Sequence, residues 1–160
     1  MRQPLRRCRA AVCVAILLGG CHSPVPASSV TEITLVRGPC LGGCPDYTFK
    51  LSRSGAATFR GTRGVHLLGH WVATIDSLGF SQLAERVVAS GFFFQPTFNP
   101  PVGTDLPTAI TCVRAAARWR CLFNPAAAPA PTLALNYAID SVATRLKWRQ
   151  LDTITVVPPN

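Results

Sequence analysis

The chain has 160 residues, of which 48% are hydrophobic and 14% charged, and its 16 basic and 7 acidic side chains give a formal charge of +9. Setting aside an N-terminal signal and tether leaves about 130 residues, one domain of ordinary size with room for a real core. Three reaction classes lose their usual signatures, because the chain has no Gly-x-Ser-x-Gly elbow, no phosphate-binding glycine loop and no His-Glu-x-x-His.

Arg2, Arg6, Arg7 and Arg9 precede a run of nine apolar residues, Ala10 to Leu18. That length suits the apolar centre of an export signal and falls far below the roughly 18 to 20 residues that span a bilayer. The tetrapeptide Leu18-Gly19-Gly20-Cys21 that follows resembles the bacterial lipobox. The resemblance implies that residues 1–20 are removed and that Cys21, carrying a diacylglycerol, becomes the N-terminus. Each buried acyl methylene contributes about 0.8 kcal/mol, so two or three chains hold a protein durably on a membrane it does not cross. The expected location is the cell envelope. With His22 in place of an aspartate, the pattern resembles cargo of the outer membrane, facing the periplasm, in a two-membraned host. Loss of the signal removes four arginines and no acids, leaving 12 basic and 7 acidic side chains, a charge of +5. Residues 21–30, with Ser23 to Val30 reading Ser-Pro-Val-Pro-Ala-Ser-Ser-Val, are expected to be a flexible tether.

Residues 31–150 read as a single domain. Thr31 to Arg37 alternates polar and apolar residues as a strand with one wet face does, and Gly38 to Pro45 cannot continue it. Asp46 to Arg53, with Tyr47, Phe49 and Leu51 on one side, pairs through Ser54-Gly55 with a return strand over Ala57 to Gly61. Val65 to Ile75 is expected to be extended. A helical stripe then begins, Phe80, Leu83, Ala84, Val87 and Val88, capped by Asp76 or Ser77 and stopped at Gly91, with Phe92, Phe93 and Phe94 expected to fold back into the core. Residues 95–107, with four prolines, read as a long loop in which Asp105 beside Pro107 forms a turn. Ala109 to Arg114 and Arg118 to Phe123 form a second hairpin. Leu135, Ile139, Val142 and Leu146 mark a helix from Thr132 to Trp148, and residues 151–160 are an edge strand or an extended tail. Strands in hairpins with two helices predict an α+β fold, an antiparallel meander with both helices packed on one face.

Seven cysteines divide by position: Cys8 and Cys13 leave with the signal and Cys21 is acylated. Cys40, Cys44, Cys112 and Cys121 remain, an even number for an oxidising compartment. If Ala116-Ala117 turns a two-residue hairpin, Cys112 and Cys121 fall opposite each other, and Cys40 then joins Cys44. By chain entropy the five-residue ring contributes roughly 2 kcal/mol and the ten-residue ring about 2.7 kcal/mol.

The segment Arg37-Gly38-Pro39-Cys40-Leu41-Gly42-Gly43-Cys44-Pro45-Asp46-Tyr47, followed by a hairpin, a helix ending in Gly-Phe-Phe and then Thr104-Asp105-Leu106-Pro107, resembles a family of small exported bacterial proteins classed as a domain of unknown function. Its signature is Gly-Pro-Cys-x-Gly-x-Cys-Pro-x-Tyr. The resemblance covers about residues 31 to 147 and implies an α+β fold with no known activity. The second cysteine pair and an Ala/Pro spacer before the last helix depart from it.

Cys40-x-x-x-Cys44-Pro45 also resembles the copper-binding motif of Sco-type assembly factors, in which a distant histidine completes the site; here His66 or His70 would supply it. In those proteins the motif opens a helix, whereas here it precedes a strand, so a structural disulfide is the stronger reading and no metal or other cofactor is expected. His66 and His70 on a strand are too far apart for a local zinc pair. Glu85, Asp105 and Asp140 have no spacing that unites them as acid and base. Arg37, Lys50, Arg53, Arg60 and Arg63 alternate with apolar residues and read as the solvated face of a sheet. Trp71, Trp119 and Trp148 read as core or rim. The densest basic spot, Arg114, Arg118 and Arg120, is the candidate surface for an envelope protein or glycan partner, with no nucleic acid expected. The sequence points to a membrane-tethered binding or structural module and indicates no reaction.

Overall fold

The computed structural model describes residues 24–97, 107–125 and 128–151. The signal over 1–20, the lipidation site Cys21, the turn former Asp105 and the tail from residue 152 onward lie outside these. No helix among the described residues is long and apolar enough to cross a membrane.

Four strands follow one another as hairpins: β1 (Val30–Gly38), β2 (Asp46–Ser52), β3 (Ala56–Arg63) and β4 (Gly69–Thr74). Helix α1 (Ser77–Ala89) then leads to a second hairpin, β5 (Thr108–Ala115) and β6 (Arg118–Pro125), and helix α2 (Ala130–Arg145) leads to the two-residue strand β7 (Arg149–Gln150). The sheet order is β6-β5-β1-β2-β3-β4-β7, and every pairing is antiparallel. This is the expected α+β meander. Each helix carries the chain across the sheet, α1 from β4 to β5 beside β1, and α2 from β6 to β7 beside β4.

Period-two patterning decides which sheet face is covered. Ile33 and Leu35 of β1, Phe49 and Leu51 of β2, and Val113 of β5 are fully buried, in one cluster with Phe80, Leu83 and Val87 of α1 and Leu135 and Ile139 of α2. Each such side chain contributes about 1.5–3 kcal/mol on burial, so the core outweighs either disulfide. Three buried polar residues fix α2 on the sheet: the Thr111 hydroxyl donates to Asn136 Oδ1 at 2.6 Å, and Asn124 Nδ2 donates to Thr111 Oγ1 at 3.1 Å. Asp76 caps α1 by accepting from the Gly79 N–H at 2.7 Å, and Gly91 takes the left-handed φ of +71° just past its end.

Several boundaries differ from the sequence reading, each for a local reason. Within the stretch read as tether, Val25 and Val30 are buried and Ala27–Ser29 form a 3-10 turn, because Arg53 donates to the carbonyls of Ser28 and Val30 and holds the segment down. The extended run over 65–75 shortens to β4, since Gly64 (φ +65°) and Gly69 (φ +86°) bend the chain between them. Phe92 and Phe93 are buried but Phe94 is 55% exposed; three successive residues in a turn cannot all face inward. The last helix begins two residues early and ends at Arg145, because Leu146 adopts extended angles with ψ 148°. Trp148 therefore lies beyond it. The edge strand is β7, opposite Trp71 and Val72, just ahead of the expected tail.

Candidate functional site

Arg37 and Tyr47 are register partners across β1 and β2. Arg37 shares the parity of Ile33 and Leu35, so the alternation that buries those residues turns its side chain toward α2. The expectation that Arg37 belongs to the solvated face is thus overturned. Helix α2 presents Asp140 next to buried Ile139. The Asp140 carboxylate accepts from the Arg37 guanidinium at Oδ2 and from the Tyr47 hydroxyl at Oδ1.

This triad sits largely out of water: the Arg37 and Asp140 side chains are 19% and 25% exposed, and Tyr47 is 8% exposed. Burial pulls the Arg37 pKa down, but its hydrogen bond to Asp140 and the Asp140 charge more than offset that, so the net direction is up and the guanidinium stays cationic. The Tyr47 phenol is pushed well above its ordinary range, first by burial and then by its hydrogen bond to Asp140 and the charge there.

Beside the triad lies a cavity of 760 Å³, lined further by Phe59, Val65, Leu67 and Trp148. Tyr47 stacks on Phe59 at a centroid distance of 4.9 Å, and Trp148 packs against Phe59 at 5.6 Å and edge-on to Phe49 at 6.1 Å. The Trp148 indole N–H donates to the Ala143 carbonyl at 2.8 Å, which fixes the ring after the helix ends.

Two loops make the rim. The Cys40–Cys44 pair, Cα atoms 5.3 Å apart, closes the loop between β1 and β2, and Cys44 and Pro45 reach the cavity. The loop between β3 and β4 folds back over Gly61, where a Cβ would stand 1.9 Å from the Leu67 carbonyl oxygen. It also meets the disulfide loop, since a Cβ on Gly64 would lie 2.9 Å from the Cys44 carbonyl oxygen. Glycine at these two positions lets Val65, His66 and Leu67 close on the cavity.

The other sequence candidates disperse. Cys112 and Cys121 are register partners with Cα atoms 4.0 Å apart, joined across the β5–β6 hairpin. His66 lines the cavity, whereas His70 is exposed on β4 opposite Arg60. Among the described residues no three of His, Cys, Asp and Glu gather to hold a metal ion. Glu85 is exposed on α1 and borders a different, smaller hollow beside Phe80 and Arg53. The three arginines of the proposed surface do not form one patch. Arg114 lies over Trp119 at 4.6 Å on the open sheet face, while Arg120, on the opposite face, donates to the carbonyls of Phe93 and Gln95. Arg118 shares the parity of Arg120 and is exposed at the hairpin turn. Of the other basic strand residues, Lys50 pairs with Glu32 at 2.7 Å, Arg60 and Arg63 are exposed, and Arg53 holds the N-terminal segment.

The model of a family described as a domain of unknown function, DUF6438, matches residues 31–122. The chain belongs to this family. No curated protein matches it. The DUF6438 region contains β1 from Thr31 onward, β2 to β5 and most of β6, and with them Arg37, Tyr47, both cysteine pairs and both rim loops. Asp140 and Trp148 lie beyond it, so α2 and the turn after it complete a site that the DUF6438 region begins. Sequence reasoning named Asp140 without its partners and passed over Arg37; the parity of β1 was the signal for the arginine.

Proposed function

We propose that this chain is an exported, lipid-anchored envelope protein whose α+β domain is a non-catalytic binding module, with the cavity over Arg37, Tyr47 and Asp140 as its ligand site. The cavity carries the reading: 760 Å³ falls within the roughly 300–1,000 Å³ of small-molecule sites, and its apolar walls converge on a few polar groups. Burial and Asp140 hold Tyr47 as a neutral phenol and move its pKa further from neutral pH, whereas acid–base catalysis at neutral pH needs a pKa near it. The arginine-rich start, short apolar run and Leu18-Gly19-Gly20-Cys21 support the anchor. A thiol-dependent copper or redox role has less support, because Cys44 leads into β2 and opens no helix.

The test is mass spectrometry of the protein isolated from its own envelope, under denaturing and native conditions. The reading expects an acylated Cys21 terminus, and a small molecule retained by the parent chain but lost from Thr144→Trp, whose indole fills the cavity from an exposed position. An acyl-free terminus overturns the anchor. Absence of a retained molecule, or equal retention in both chains, overturns the ligand site.

A further inference from the structure

Resting on the cavity as ligand site, we propose that its ligand is an amphipathic carboxylate, with the acid group on Arg37 and an aliphatic or aromatic body between Trp148 and Leu67. The polar floor offers donors on Arg37. A guanidinium carries five N–H groups in a planar fork, and the hydrogen bond Arg37 makes among the described residues runs through Nη2 to Asp140, leaving further N–H groups of the fork for a second acceptor. Each Asp140 oxygen already accepts one hydrogen bond, one from Arg37 and one from Tyr47, so about half of that carboxylate's acceptor sites are taken. Thr108 adds a hydroxyl group to the lining, whereas the Thr144 hydroxyl donates to the Ser141 carbonyl at 3.2 Å. A head group made of acceptors fits such a floor, and a carboxylate fits it best, because charge-assisted hydrogen bonds to a guanidinium fork are roughly twice as strong as neutral ones.

The body of the ligand follows from the walls. Phe59, Val65, Leu67 and Trp148 offer apolar surface above the floor, and Tyr137, 67% exposed on α2, continues it to the outside. An exposed ring at the mouth suits a molecule longer than its head.

The experiment uses the full lipidated chain in phosphatidylcholine nanodiscs, with empty nanodiscs as the blank, and titrates 4-phenylbutyrate and 4-phenylbutanol by saturation-transfer NMR at pH 7. The acid is expected to bind at least ten-fold more tightly than the alcohol, and Arg37→Gln to abolish that preference. Should Arg37→Gln fail to fold, the two ligands on the unaltered chain still decide. Equal affinities overturn the acid head group while the cavity stands as a ligand site. Binding of neither probe, with a retained native molecule that has no carboxylate, overturns the inference alone; binding of neither, with no retained molecule, overturns the ligand site as well.

Discussion

Arg37 and Tyr47 stand opposite each other on β1 and β2 and hold the same Asp140 carboxylate, reached from α2 more than ninety residues along the chain. A hydrogen bond to a charged group contributes about 1.5–3 kcal/mol. Tyr47→Phe, which keeps the ring stacked on Phe59, is expected to lower stability by about that amount, and Asp140→Asn by about 1–3 kcal/mol, since an amide nitrogen then faces a donor. Urea denaturation of the two single variants and the double variant checks this. A coupling below about 0.5 kcal/mol would show that Tyr47 and Asp140 do not act as a unit.

The raised Tyr47 pKa sets an alkaline limit. Its folded pKa lies above the unfolded value near 10, so its contribution to stability is complete below about pH 10 and is lost as pH rises beyond it. Tyr137→Phe leaves Tyr47 as the single tyrosine. Ultraviolet titration of that variant is expected to show no phenolate through about pH 10, with phenolate appearing together with alkaline unfolding. A phenolate half-formed at about pH 10 in the folded chain would contradict it.

The two disulfides are expected to act differently. Cys112→Ser with Cys121→Ser should cost about 2.7 kcal/mol and Cys40→Ser with Cys44→Ser about 2 kcal/mol, by chain entropy. The Cys40–Cys44 pair borders the cavity, so its loss should also raise amide hydrogen exchange at Gly64, which packs on that loop, and in the residues that follow it. Alkylation without reductant should label none of the four cysteines.

Gly61→Ala places a methyl group against the Leu67 carbonyl oxygen, a backbone atom that cannot swing aside. It should destabilise by about 1–3 kcal/mol and displace Val65 and Leu67 from the cavity. Gly42→Ala, whose Cβ would meet nothing nearer than Cys40 Sγ at 3.9 Å, should stay within about 0.5 kcal/mol of the parent. Thermal denaturation of both variants separates a steric need for glycine from loop flexibility.

Much of the fold could be read from local pattern. Alternation marked β1, β2, β3 and the β5–β6 hairpin, the stripe from Phe80 marked α1, and the two-residue turn at Ala116-Ala117 put Cys112 opposite Cys121. The site was harder because its members come from separate elements. Arg37 was placed on the wet face by its charge, although its parity with Ile33 and Leu35 argued otherwise. Asp140 lies one position from Ile139 on the buried stripe of α2, and no local rule says which strand that helix crosses. The bend at residues 64–68 depends on two left-handed glycines whose effect shows only once Gly61 is seen to lie beneath Leu67.

The DUF6438 match stops at Leu122, before the helix that brings Asp140 to Arg37. The cavity is therefore split along the chain, with Arg37, Tyr47, Phe59 and the rim loops inside the matched region and Asp140 and Trp148 in the segment that follows it. Changes confined to the segment after β6 would reshape that part of its wall without rebuilding the strands beneath it.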